Sequence, residues 1–167
     1  MKNIELKIKV NDFRRTEKRL KRLGAKYCGA LNQKDTYFNC AEGRLKIRET
    51  NNKNFELIFY QRPDKSIDKL SNYSIVPINK AQLKRLKNIL TLSLGIKVTV
   101  SKKRKLWLFK NTRIHFDNID KLGKFLELET VLKKISKTKG KKEYFEIYNL
   151  LELTPFKKIN KSYSDLL

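Results

Sequence analysis

The chain has 167 residues, 40% hydrophobic and 34% charged, enough to bury about 70% of the surface its unfolded form exposes. No apolar run approaches the roughly 20 residues of a membrane span, and the first residues lack the apolar core of a secretion signal, so the expectation is one soluble domain over residues 1–167, intracellular and cytoplasmic, monomer or homodimer. Cys28, Cys40 and the single His115 are too few for a Cys/His zinc site. The net charge of +23 admits two readings, attraction to polyanions such as RNA or polyphosphate and a Lys- and Asn-rich composition, and charge by itself does not choose between them.

In chain order, "NIELKIKV" alternates strictly: Ile4, Leu6, Ile8 and Val10 share one face of a strand, Asn3, Glu5, Lys7 and Lys9 the other. "NDFRRTEKRLKRLGAK" reads as a helix capped at Asn11 or Asp12, striped by Phe13, Leu20 and Leu23, and ended by Gly24. Asp35 to Cys40 and Gly43 to Thr50 read as strands around a turn at Ala41–Glu42–Gly43. "NFELIFYQ" is a strand stopped by Arg62, Pro63 and Asp64, and "NYSIVPI" is the next. "NKAQLKRLKNILTLSLG" predicts a second helix with Leu83, Leu86, Leu90 and Leu94 on its apolar stripe and Gly95 as its stop. "IKVTVSKKRKLWLF" and "TRIHFDNI" pair around Lys110–Asn111, and Gly123 to Leu132 is the last long strand. "KKISKTKGKK" has no apolar period and reads as a mobile basic loop, and "KEYFEIYNLLEL" as a helix halted by Pro155. Adjacent strands with short turns imply antiparallel pairing, hence an α+β domain on a curved sheet or barrel.

The charged faces of these strands are sorted. Arg44, Lys46 and Arg48 form a purely basic row opposite Leu45 and Ile47; Lys102 and Arg104 form another. Arg113, His115 and Asp117 lie together opposite Ile114 and Phe116, and Glu127 and Glu129 lie opposite Leu126 and Leu128. Antiparallel sheets often expose one face to water, but a solvated face tolerates random mixing of polar residues. The sorted rows suit a barrel interior that holds a polyanion through a metal: carboxylates take Mg²⁺ or Mn²⁺, and Arg and Lys grip phosphate oxygens.

On these residues the chain resembles the CYTH superfamily, the triphosphate tunnel metalloenzymes. The family's E-x-E-x-K signature is Asn3-Ile-Glu5-Leu-Lys7 here. "QKDTYF", "GRLKIRE", "YQRPD", Lys102-Lys-Arg104, "RIHFDNIDKLGKFLELE" and "SYSDLL" follow in the family's order. The resemblance implies an eight-stranded antiparallel tunnel barrel flanked by helices. It implies Glu5, Glu127 and Glu129 as catalytic metal ligands for Mg²⁺ or Mn²⁺, with Asp117 a nearby metal or water-positioning acid. It implies Lys7, Arg44, Lys46, Arg48, Lys102 and Arg104 as triphosphate ligands, to which strand parity adds Arg113; Arg62 and Tyr73 sit in a stretch that aligns more than one way. The departure is Asn3, an amide where the signature has Glu.

Two chemistries share such a site. A triphosphatase sets water against the terminal phosphorus; a class IV adenylate cyclase sets the ribose 3′-oxygen against the α-phosphorus of ATP and releases pyrophosphate. The triphosphatase, acting on a nucleoside, thiamine or inorganic triphosphate, is placed first because it demands less exact nucleotide placement. The rival from another class is a noncatalytic binder of RNA, polyphosphate or nucleotide, motivated by the +23 charge and Asn3.

Overall fold

The computed structural model describes residues 3–61, 72–133 and 135–167. Its strands are β1 (Asn3–Val10), β2 (Lys26–Phe38), β3 (Arg44–Thr50), β4 (Asn54–Gln61), β5 (Asn72–Ile78), β6 (Ile96–Phe109), β7 (Thr112–Ile119) and β8 (Gly123–Val131). Its helices are α1 (Arg14–Arg22), α2 (Lys80–Leu94) and α3 (Lys137–Leu150), with a 3₁₀ turn at Tyr163–Asp165. The strands form one sheet in the order β1-β8-β7-β6-β2-β3-β4-β5, antiparallel at every ladder. The eight-stranded antiparallel expectation therefore holds. The described residues form no backbone ladder between the edge strands β1 and β5. That seam is spanned by a side chain instead: the Tyr73 hydroxyl of β5 donates to Glu5 Oε1 of β1 at 2.8 Å.

Alternation along the strands sorts most of the buried apolar side chains among the described residues into two clusters. Ile4, Leu6 and Ile8 of β1 and Leu126 and Leu128 of β8 are buried with Tyr144, Ile147 and Leu151, the inner side of α3 and its end. Each such side chain stabilises by about 1.5–3 kcal/mol on leaving water. The second core joins Tyr37, Ile58, Tyr60, Val100, Ile119, Phe125 and Tyr163. It stands on the concave side of the sheet, where the 3₁₀ turn packs against β6.

Two expectations are corrected. β2 begins at Lys26 rather than Asp35, with a register irregularity between Tyr27 and Ala30 around Gly29, whose φ is 104°; the bulge breaks the alternation a sequence reading needs. The segment expected to be a mobile basic loop is helical from Lys137, where the Ser136 hydroxyl caps Lys139 N. Gly140 permits this, because a Cβ there would meet Leu132 Cδ2 at 2.2 Å. At α1 the Asp12 alternative holds: Phe13 is already in the helical region, and Asp12 Oδ1 accepts from Arg14 N at 2.9 Å. The α2 stripe is at most half-buried, and Leu94 is exposed. Among the described residues no helix is long and apolar enough to cross a membrane.

Candidate functional site

A cavity of about 350 Å³ opens on the concave face and draws its walls from all eight strands. Of the expected residues, Glu5 and Lys7 of β1, Lys46 and Arg48 of β3, Lys102 and Arg104 of β6, Arg113 of β7, and Glu127 and Glu129 of β8 all line it. Asn3 and Tyr73 line it as well. The period of two accounts for this: residues two apart on a strand face one side, and the apolar neighbours of the β1, β7 and β8 charges, Ile4, Leu6, Ile8, Ile114, Leu126 and Leu128, are in the α3-side core.

Ladder register sets which acids meet. Glu5 stands directly opposite Glu129, and Lys7 opposite Glu127. On the other side of β8, Arg113 stands opposite Glu129 and His115 opposite Glu127. Like charges directly opposed are destabilising, and Glu127 and Glu129 are each countered by cations. Lys7 Nζ lies 3.3 Å from Glu127 Oε1, and Arg104 Nη2 donates to Glu127 Oε2 at 2.7 Å. Arg113 Nη2 lies 2.9 Å and His115 Nε2 3.2 Å from Glu129 Oε2. Burial works to raise both glutamates, but Lys7 and Arg104 hold the Glu127 carboxyl well below the usual range, and His115 and Arg113 do the same for Glu129. His115 Nδ1 is buried with no hydrogen-bond partner among the described residues.

The basic wall is held from behind by two aspartates. Asp35 on β2, 1% exposed, accepts from Arg48 Nε and Nη2 at 2.7 Å each and from Lys46 Nζ at 2.8 Å, with Lys102 Nζ 3.9 Å away. Asp117 on β7, fully buried, accepts from Arg104 Nε and Nη2 at 2.5 Å each and from the Tyr163 hydroxyl at 3.0 Å. Burial lowers the Lys46 ammonium to about 7, with Arg48 adding to the effect and Asp35 opposing it. Burial and Arg104 lower Lys102 to about 8.

Two expected residues do not join the others. Asp117 is absent from the cavity wall; both its oxygens are on Arg104. Arg44 lies at a smaller, separate pocket beside Lys97 and Ser164 and pairs with Asp165 at 2.8 Å. Arg62 lies outside the described residues. Sequence reasoning missed Asp35 and Tyr163. Asp35 had a signal, since Gln33, Asp35 and Tyr37 alternate within "QKDTYF" and an aspartate is rare inside a strand. Tyr163 had only the resemblance of "SYSDLL" to the family's pattern; no local period marks it, because its site is made by the returning tail, where Lys7 Nζ sits 3.8 Å over its ring.

For a metal, the donor chemistry fits in part. Among the described residues no three His, Cys, Asp or Glu side chains converge into a ready-made cage. The Glu5–Glu129 register pair, with Glu127 two residues along, offers carboxylate oxygens in one cavity, the donor type Mg²⁺ and Mn²⁺ take.

The family model of the CYTH domain matches residues 1–163. A Methanocaldococcus jannaschii protein named "Putative adenylate cyclase MJ0240" is 30% identical over 176 aligned positions, covering 99% of this chain and 98% of the relative. Among solved structures, PH1012 protein from Pyrococcus horikoshii OT3 superposes with a TM-score of 0.82 at 23% identity, covering 99% of both chains. A Hippeastrum protein, "Putative adenylyl cyclase HpAC1", described as having a dominant triphosphatase activity, superposes with a TM-score of 0.68 at 15% identity, covering 99% of this chain and 94% of that one.

Proposed function

The chain belongs to the CYTH domain family, a family of metal-dependent tunnel enzymes that act on triphosphates, and on that premise we propose that it hydrolyses a triphosphate bound in the cavity. One observation carries the reading: a single cavity has an acidic wall, Glu5, Glu127 and Glu129 on β1 and β8, and a basic wall, Lys46, Arg48, Lys102 and Arg104 on β3 and β6. The acidic wall would hold Mg²⁺ or Mn²⁺ through Glu5 and Glu129, with Glu127 adjacent. Mg²⁺ is commonly bound by one or two carboxylates plus substrate phosphates rather than a full protein cage, which suits a carboxylate pair. When bound, such an ion neutralises charge on phosphate oxygens and polarises the phosphorus under attack.

The chain's own residues do the remaining work. Arg48 and Arg104 present guanidinium donors that match phosphate geometry, and Lys46 and Lys102 add point charges along the chain of phosphates. Arg104 touches both Asp117 and Glu127, which fixes the basic wall relative to the acidic one. Preorganised charge of this kind is the main contribution a protein makes to phosphoryl transfer. Asp117 serves in this reading by orienting Arg104, not by binding metal.

A second reading, a cyclase acting on ATP, is favoured by the name of the Methanocaldococcus jannaschii relative and by Leu31, Ile58, Ile75 and Leu106 in the cavity wall, which suit an organic group. The test is turnover of ATP, GTP, thiamine triphosphate and tripolyphosphate with Mg²⁺ or Mn²⁺, products identified. Orthophosphate release that stops with excess chelator supports the triphosphatase; cyclic AMP with pyrophosphate supports the cyclase. Tight binding without turnover of any of the four would favour the noncatalytic binder.

A further inference from the structure

Three cations meet at one buried carboxylate that does not reach the cavity. β2 lies between β6 and β3 in the sheet, so Asp35 is the register partner of Arg48 and a diagonal neighbour of Lys46 and Lys102. All three cations line the cavity, and Asp35 does not. Arg48 spends Nε and Nη2 on Asp35 in a two-point grip, which fixes the plane of its guanidinium; Lys46 is fixed by Asp35 Oδ2 and lies 3.3 Å from the Tyr37 hydroxyl. Three long side chains would otherwise each lose rotamer freedom on gripping an anion, a cost a preorganised group avoids. One carboxylate against three cations leaves the wall short of negative charge, a deficit an extended polyanion can fill.

We infer that Asp35 is a positioning residue for the phosphate-binding wall: it touches no substrate, and it sets Arg48, Lys46 and Lys102 in the spacing that selects a triphosphate over a single phosphate. The inference rests on the proposed triphosphate site. The lowered Lys46 ammonium agrees with it, since Asp35 is the group that opposes deprotonation there. The groups facing that ammonium are Asp35 and Tyr37 of β2, Arg48 of β3, Tyr60 of β4 and Lys102 of β6.

The experiment measures binding of tripolyphosphate and of orthophosphate by calorimetry to the wild-type protein, Asp35→Asn, Arg48→Gln and the double variant, with circular dichroism to follow folding. Asp35→Asn should lose at least about tenfold in triphosphate affinity, the scale of one charge-assisted contact, and about threefold or less for orthophosphate. In the Arg48→Gln background, Asp35→Asn should add less than about threefold, because residues acting through one another are not additive. If Asp35→Asn does not fold, Asp35→Asn with Lys46→Met, which removes an anion and a cation together, is compared with Lys46→Met alone; a further loss specific to triphosphate is expected. Unchanged triphosphate affinity, an equal loss for both anions, or a fully additive loss in the Arg48→Gln background overturns the inference. Wild-type protein that binds no triphosphate overturns the functional reading and this inference with it; wild-type binding with an unaffected Asp35→Asn variant overturns the inference alone.

Discussion

At the scale of single residues, acids of the same charge have opposite surroundings. Glu129 faces the cavity opposite Glu5, whereas Asp117 is sealed behind the wall with both oxygens on Arg104. Substitution should separate them. Glu129→Gln keeps the volume and removes a charge proposed to bind metal; it relieves the Glu5 repulsion but gives up the Arg113 and His115 contacts that hold this carboxyl well below its usual range, so part of its stabilisation is lost. Turnover of triphosphate should fall at least about a hundredfold, the loss expected when a group stabilising the transition state is removed, while the protein, though less stable, still folds. Asp117→Ala instead leaves Arg104 buried against an empty site, and breaking a buried pair from one side costs about 3–5 kcal/mol. Urea denaturation of both variants checks the contrast. If Glu129→Gln unfolds and Asp117→Ala does not, the two acids have been assigned the wrong way round.

At the scale of elements, what was legible in the sequence depended on whether a signal was local. Glu5, Lys7, Lys46, Arg48, Glu127 and Glu129 could be placed on inward faces because strict alternation is written within one strand. Asp35 could not be matched to its three cations, because that requires knowing that β2 lies between β6 and β3, a long-range pairing. The first half of β2 was illegible because the irregularity at Gly29 interrupts the period, and the start of α3 because Lys137 to Lys142 carries no apolar stripe and is helical through its cap and the close approach at Gly140. The seam between β1 and β5 belongs to this scale as well. With no ladder there among the described residues, the Tyr73–Glu5 hydrogen bond substitutes for main-chain pairing. Tyr73→Phe removes it with almost no change in volume, and a hydrogen bond to a charged acceptor contributes about 1.5–3 kcal/mol. Stability in urea should fall by an amount of that order, and metal affinity should shift as Glu5 loses its tether. A variant equal to wild type in both measurements would mean that the seam is held by other contacts.

At the scale of the whole molecule, the buried cations set a conflict between folding and binding. Lys46 is lowered to about 7 and Lys102 to about 8, from an ordinary value of about 10.4 in an unfolded chain. Between those limits the unfolded chain binds protons that the native protein has released, so native stability rises with pH across that window. The buried carboxylates act elsewhere: Asp35 and Glu127 are held well below their ordinary range, so their contribution is complete above it and is lost only in acid. The Tyr37 and Tyr163 phenols, pushed well above 10 by burial, make stability decline once the unfolded phenols ionise, which places the upper limit of the rise near pH 10. A triphosphate in the proposed site requires the opposite state of the two lysines, because phosphate oxygens are gripped by ammonium groups and not by neutral amines. Without ligand, the urea midpoint should therefore increase from about pH 7 to about pH 9, the direction fixed by the proton difference between the two states. Over the same interval triphosphate affinity should weaken, and binding near pH 8 should take up protons as the anion recharges Lys46 and Lys102. Calorimetry in two buffers of different ionisation enthalpy counts those protons directly. Binding that takes up none, with an affinity flat across the window, would mean that neither lysine changes its charge when the anion arrives.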